Sequence, residues 1–135
     1  MYSTRYFISD KNSCWCINIY LSIEIKPLPS INNYYKINNN IGIKYDFEDF
    51  SYDKNYFELP YLIDGINVVQ NQLSNAIKNN NILIEIKDIK FGLCDFQEEG
   101  LTMAIIKLMS EIYGFEVPKI SVHFDRQLNK YIFEF

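Results

Sequence analysis

One histidine is the chain's candidate for general acid–base chemistry near neutral pH. His123 stands between Ser121 and Asp125, where apolar and polar residues alternate. An imidazole titrates near neutral pH and is the usual general base in hydrolysis. Residues at i, i+2 and i+4 of a strand stand in a row about 7 Å apart, whereas a Ser/His/Asp triad must converge on one substrate atom. The spacing therefore favours a structural strand, and a small hydrolase using carboxylates and His123 is kept as an alternative.

The three cysteines are Cys14, Cys16 and Cys94. Structural zinc usually takes four ligands from paired Cys or His clusters, so a site would need all three thiols to meet His123. An odd number of cysteines in a chain of 135 residues also argues against a disulfide framework. We expect reduced thiols that pack as small, partly buried residues, with no metal site.

The five glycines of the chain are scattered, and none belongs to a G-x-G-x-x-G or Walker pattern. Such loops cradle phosphates with their backbone amides. The sequence therefore predicts no nucleotide cofactor bound by a familiar motif, and no other cofactor.

The excess negative charge lies in one segment, residues 45–58. The chain has 17 acids and 13 bases, and this segment holds five of the acids but only one base, Lys54, so the remaining 12 acids and 12 bases cancel. The acids alternate with six aromatic residues. Aromatic rings give contact area at low entropic cost, and carboxylates steer a basic partner. The segment is either a docking surface or a surface loop whose rings join the core. The predicted partner-binding residues are Asp46, Glu48, Asp49, Tyr52, Asp53, Tyr56 and Glu58.

Strand patterns dominate the first third of the chain. Residues 15–25 alternate strictly, with isoleucine or leucine at every second position from Ile17 to Ile25. A weaker alternation over 2–8 predicts a first strand paired to it as a hairpin. Residues 34–37 and 41–47 flank Asn38-Asn39-Asn40, and asparagine tolerates turn conformations, so a second hairpin is predicted.

Helical spacing appears twice in the rest of the chain. Apolar residues at helical spacing predict one long helix from 61 to 79, with Pro60 in its first turn. A strand follows from Ile82, and its alternation slips by one residue, which predicts a bulge near Lys87-Asp88. A second helix ends at Gly114, and residues 120–125 and 131–135 predict a terminal hairpin.

These elements predict an α+β fold in the order ββββαβαββ. Strands that follow one another as hairpins favour a mainly antiparallel sheet, with the two helices on one face. A chain of 135 residues fits one domain, so we predict a single domain over 1–135.

Composition indicates a compartment and excludes some partners. The first residues lack the features of a secretory signal, and no apolar run approaches the roughly 18 residues of a membrane span. The expectation is a cytoplasmic protein. A net charge of −4 argues against binding to nucleic acid in general and to an anionic membrane. The oligomeric state is left open.

Two resemblances extend this interpretation. Residues 60–118, a helix, a strand and then Asp95-Phe96-Gln97-Glu98-Glu99-Gly100-Leu101 opening a second helix, are similar to domain IV of elongation factor G. That resemblance implies a sheet carrying two helices, and it implies a ribosome- or RNA-associated accessory domain as an alternative function. Such a function predicts a basic face, formed by Lys78, Lys87, Lys90 and Lys107.

In size, acidity and lack of catalytic residues the chain also resembles the immunity proteins of bacterial toxin systems, including contact-dependent growth inhibition. This resemblance implies a non-enzymatic protein that binds and neutralises a basic toxin domain, for example a nuclease. Asp46, Glu48, Asp49 and Asp53 would then steer the partner, while Tyr52 and Tyr56 would anchor it.

Overall fold

A computed structural model describes residues 1–10, 15–31, 33–46, 58–78, 80–92 and 96–135. Its strands are β1 (Tyr2–Ser9), β2 (Cys16–Pro27), β3 (Tyr35–Asn38), β4 (Ile41–Tyr45), β5 (Ile82–Phe91), β6 (Ser121–Asp125) and β7 (Lys130–Glu134). Its helices are α1 (Leu59–Val68), α2 (Gln70–Ile77) and α3 (Glu99–Tyr113). Within these ranges, no helix combines the length and the apolar character that a membrane crossing requires.

Five strands form one sheet in the order β1-β2-β5-β4-β3. The first predicted hairpin is confirmed, because β1 pairs with β2 in antiparallel fashion. The second is confirmed as β3–β4, with Asn38 Oδ1 accepting the amide of Asn40 at 2.8 Å in the turn. The pair β4–β5 is parallel, since the chain crosses over through α1 and α2 before it returns to the sheet. The sheet is therefore mainly antiparallel, as predicted, with one parallel pair.

The prediction of one helix over 61–79 is wrong, because the helix breaks at Val69. This residue has φ −105° and ψ 14°, outside the helical range. Leu62, Ile66, Val69 and Leu73 are nevertheless all fully buried, so the same apolar stripe runs through the break. Helical spacing alone could not reveal it. The described element order is ββββααβαββ, with three helices where two were predicted.

One face of the sheet packs against the helices and the other does not. Ile17, Ile19, Leu21 and Ile23 point from β2 into a core shared with all three helices. The alternate positions of β2 and their partners on β1 and β5 point the opposite way. We call this second side the open face. Its residues include Ser3, Arg5, Phe7, Asn18, Tyr20, Ser22, Glu24, Lys26, Glu85, Lys87, Asp88 and Lys90.

The predicted bulge in β5 is confirmed at Lys87. Ser22 pairs with Asp88 but the next residue, Ile23, pairs with Ile86, so Lys87 is the extra residue. The bulge keeps Ile84 and Ile86 in the core although the alternation changes phase beyond them.

The predicted terminal hairpin is also confirmed, but β6 and β7 form a separate two-stranded sheet. Gln97 holds it to the rest of the molecule: its Nε2 donates to Tyr131 O at 2.6 Å, and its Oε1 accepts the Tyr131 amide at 2.9 Å. The Tyr131 hydroxyl donates to Trp15 O at 2.6 Å. The helix before the hairpin ends as predicted, with Gly114 at φ 77°.

Candidate functional site

The acidic segment is described at its two ends. Asp46 and Glu58 are described. The other predicted partner-binding residues, Glu48, Asp49, Tyr52, Asp53 and Tyr56, lie outside the described residues.

Asp46 lies directly after β4 and is bonded to the neighbouring strand β5. Its amide donates to Ile86 O at 2.9 Å, and its carboxylate accepts a hydrogen bond from Lys87 Nζ at 2.8 Å. The bond to Lys87 lowers the pKa of the Asp46 carboxyl, and bonds to Asp46, Glu85 and Glu24 raise the pKa of Lys87. Asp46 is exposed yet already paired with a lysine of its own chain.

Lys87 is the centre of a charge network on the open face. Its Nζ lies 2.7 Å from Glu85 Oε1 and 3.0 Å from Glu24 Oε2, and Lys26 Nζ lies 3.0 Å from the same Glu85 oxygen. The Glu85 side chain is only 5% exposed, so its charge needs these partners. The bulge positions Lys87 where three carboxylates converge.

Glu58 ends the segment and returns it to the core. Its Oε2 accepts a hydrogen bond from the Tyr45 hydroxyl at 3.4 Å, and its carbonyl accepts the amide of Leu62 in the first turn of α1. Burial raises the pKa of the Glu58 carboxyl, and the bond from Tyr45 opposes this rise. Burial, then the charge of Glu58, raises the pKa of Tyr45, which is 3% exposed. The two ends of the segment therefore meet at the Tyr45–Glu58 pair.

The candidate triad is not brought together as a catalytic group. His123 is exposed on β6, and Asp125 Oδ1 instead accepts the amides of Gln127 and Leu128 at 2.9 and 3.0 Å. These bonds give the Asp125 carboxylate a role in the β6–β7 turn.

The cysteine set falls largely outside the described residues. Cys16 is half-buried at the start of β2, while Cys14 and Cys94 are not among the residues described. In the described ranges, no three His, Cys, Asp or Glu side chains are placed to hold a metal ion together.

The lysines predicted to form a basic face come from different elements, and three of them have acidic neighbours. Lys87 lies in the network above, Lys90 Nζ is 3.4 Å from Asp88, and Lys107 Nζ is 3.8 Å from Glu111. Lys78 follows α2. Lys87 and Lys90 share the open face, but Lys107 lies on α3, so the four do not form one uncompensated basic surface.

The described part of the chain includes a cavity and a surface groove that are large enough to consider as binding sites. One, of about 280 Å³, lies where the β6–β7 sheet meets Trp15, Phe96 and Gln97. The other, of about 390 Å³, is a groove on the open face between Arg5, Tyr20, Ser22 and Lys90. Sequence reasoning missed this groove because its side chains come from three strands. The signal available was an arginine and a tyrosine at the polar positions of two predicted strands.

Comparison with known proteins adds no family: no model of a protein family and no curated protein matches this sequence.

Proposed function

We propose that the chain is a non-enzymatic binding protein of the immunity type, which docks a basic toxin domain on its acidic segment, residues 45–58. The observation that carries the proposal is the placement of the charge. The segment holds the whole net charge of −4, and its two ends are held together by the Tyr45–Glu58 pair. A concentrated charge of one sign steers a partner of the opposite sign and speeds its association.

The two described acids have different parts in this proposal. Asp46 is exposed and shares Lys87 with Glu24 and Glu85, so it fixes where the segment leaves the sheet. Glu58 is half-buried, and it fixes where the segment returns. Steering then falls to Glu48, Asp49 and Asp53, with Tyr52 and Tyr56 as anchors. The proposed compartment is the cytoplasm, where an immunity protein would meet an incoming toxin domain.

The first test is genetic. We expect the gene directly upstream to encode a large secreted protein with a variable C-terminal toxin domain. Expression of that domain alone should stop the growth of a bacterial host, and co-expression of this chain should restore it. Growth arrest that persists despite a stable, soluble chain would contradict the proposal.

The second test measures association of the purified toxin domain by stopped-flow at low and high salt. Asp49→Lys with Asp53→Lys should slow association at low salt by about tenfold and weaken its salt dependence. The control is Glu116→Lys with Glu134→Lys, which makes the same charge change at exposed positions outside the segment. Equal effects of the two double variants would assign the result to net charge and remove the segment from the proposal.

A further inference from the structure

The groove on the open face is built from two rows of side chains that cross three strands in register. Arg5 pairs with Tyr20, and Tyr20 pairs with Lys90, so a cation, a ring and a second cation stand side by side. Ser3, Ser22 and Asp88 form the next row, two residues along the strands and thus about 7 Å away. The groove between the rows has a volume of about 390 Å³. This lies at the small end of ligand sites, which run from about 300 to 1,000 Å³.

Arg5 is held in place before any ligand arrives. Its Nε donates to Asn18 Oδ1 at 2.7 Å, and its guanidinium carbon lies 4.8 Å from the ring centroid of Phe7 and 5.6 Å from that of Tyr20. Both distances are within the range of cation–π attraction. A guanidinium can bind two oxygens of a phosphate in parallel, and a fixed side chain loses little entropy on binding.

Lys90 supplies the second charge from the other side of Tyr20. Its side chain is 74% exposed, and its Nζ lies 3.4 Å from Asp88 Oδ2, a loose pair at the surface. Neighbouring strands are about 4.8 Å apart, so the backbones of Arg5 and Lys90 are separated by about 10 Å. Because Arg5 is held toward Asn18 and Lys90 Nζ lies near Asp88, Lys90 attracts an anion bound at Arg5 from across the groove.

The second row offers groups that recognise hydroxyls. Ser3 Oγ and Ser22 Oγ lie 2.9 Å apart and share a hydrogen bond, and the Asp88 carboxylate stands next to Ser22 in the pairing. A carboxylate is the usual acceptor for the hydroxyls of a ribose. Tyr20, 46% exposed, offers a ring against which a planar base can stack.

We infer that this groove binds a free nucleoside monophosphate, with the phosphate at the Arg5 guanidinium, the base against Tyr20 and a ribose hydroxyl bonded to Asp88. Charge complementarity favours this ligand. The first row carries two positive charges and the second row one negative charge, so the groove is locally basic on a chain of net charge −4. A free nucleotide fits better than a nucleic acid strand, because the volume suits one unit and the net charge repels a long polyanion.

The described residues that line the groove all lie outside residues 45–58, so the inference does not depend on the proposed function. The same chain would dock a basic protein at residues 45–58 and hold a small anion among β1, β2 and β5. Both sites can therefore be tested on one preparation of the full chain.

The test measures binding of AMP, dAMP, inorganic phosphate and an eight-nucleotide oligoadenylate to the full chain by calorimetry and by NMR of backbone amides. AMP should bind saturably with a Kd between about 10 µM and 1 mM, as expected for a small ligand in an open groove. The amides that shift should belong to β1, β2 and β5. Binding of phosphate alone should be at least about tenfold weaker, since it lacks the base and ribose contacts.

Single substitutions test the contribution of each proposed contact to AMP binding. Arg5→Met should weaken AMP binding by about tenfold or more, and Lys90→Met by a smaller factor because that side chain is more exposed. Asp88→Asn should reduce the preference for AMP over dAMP. Lys119→Met, which removes an exposed cation elsewhere, is the matched control and should change nothing. A cooperative thermal unfolding transition is the criterion that each variant is folded.

Several results would overturn the inference. If AMP fails to bind, or binds Arg5→Met as tightly as it binds the parent chain, the groove is not a nucleotide site. If inorganic phosphate binds as tightly as AMP, the groove is a simple anion site. If oligoadenylate binds more than about tenfold tighter than AMP, the ligand of the groove is a single-stranded nucleic acid and not a free nucleotide.

Discussion

At the scale of single residues, burial gives Glu58 a different chemistry from Asp46 although both belong to the acidic segment. Asp46 is exposed, and Lys87 lowers the pKa of its carboxyl. Glu58 is half-buried against Tyr45, and burial raises the pKa of its carboxyl. A raised folded-state pKa means that the folded protein holds this proton more tightly than the unfolded chain. Glu58 therefore favours folding at low pH, and this contribution is lost as pH rises through the folded-state value.

Glu58→Gln should stabilise the chain at pH 7 relative to pH 4. The amide keeps an oxygen that accepts the bond from Tyr45 but carries no charge to bury, so the gain at pH 7 should be under about 1 kcal/mol after solvent screening. Urea unfolding of both chains at the two pH values gives the difference directly. Glu134→Gln, at an exposed position, controls for the loss of one carboxylate. An effect of Glu58→Gln that is the same at pH 4 and pH 7 would show that burial of this charge has no cost.

At the scale of elements, the close crossing of α1 and α3 depends on Gly65. A Cβ at this position would lie 2.8 Å from the carbonyl oxygen of Thr102 and would also overlap Ile105 Cγ2. Across the same contact, Thr102 Oγ1 donates to Tyr61 O at 2.7 Å. The backbone oxygen cannot move aside without shifting α3, so the absence of a side chain at Gly65 sets the distance between the helices.

Gly65→Ala should lower the free energy of unfolding. Overpacking costs about 1–3 kcal/mol, which exceeds the gain of about 1 kcal/mol that alanine brings to a helix. Chemical denaturation measures the net loss. Asp64→Ala, at the adjacent exposed position, has no such overlap and is the control. If Gly65→Ala proved as stable as the parent chain, the helices would have to separate at no cost.

At the scale of the whole molecule, the described strands form two separate sheets. The five-stranded sheet has its own core with the helices, whereas β6 and β7 are held by Gln97, by the Tyr131 hydroxyl and by apolar packing that includes buried Tyr131. The Gln97 side-chain amide pairs with the Tyr131 backbone as a neighbouring strand would, because it both donates a hydrogen bond to it and accepts one from it. We expect the β6–β7 sheet to open more readily than the larger one.

Gln97→Ala tests this arrangement by hydrogen exchange. The substitution removes the two hydrogen bonds to the Tyr131 backbone, each worth about 1 kcal/mol, so exchange of the β6 and β7 amides should speed up by about tenfold or more. Amides of β2 and β5 should keep their rates. Gln127→Ala, in the exposed turn between β6 and β7, is the control. Equal acceleration in both sheets would mean that the molecule opens as one unit.

Local rules in the sequence were enough to predict most elements and several details. The alternation from Ile17 to Ile25 predicted β2, the slip after Ile86 predicted a bulge near Lys87-Asp88, and Gly114 predicted the end of α3. These features depend on neighbours along the chain, so a periodicity or a turn residue reveals them. The acidic segment was also visible, because charge can be counted from sequence.

Only the tertiary structure decided what depends on residues far apart in the chain. The break at Val69, the parallel pairing of β4 with β5 and the convergence of Glu24, Asp46 and Glu85 on Lys87 follow from packing and pairing across the sheet. The row of Arg5, Tyr20 and Lys90 arises in the same way. Strand register brings distant side chains within a few ångströms of one another, and register is set by the burial of a whole face rather than by any local pattern.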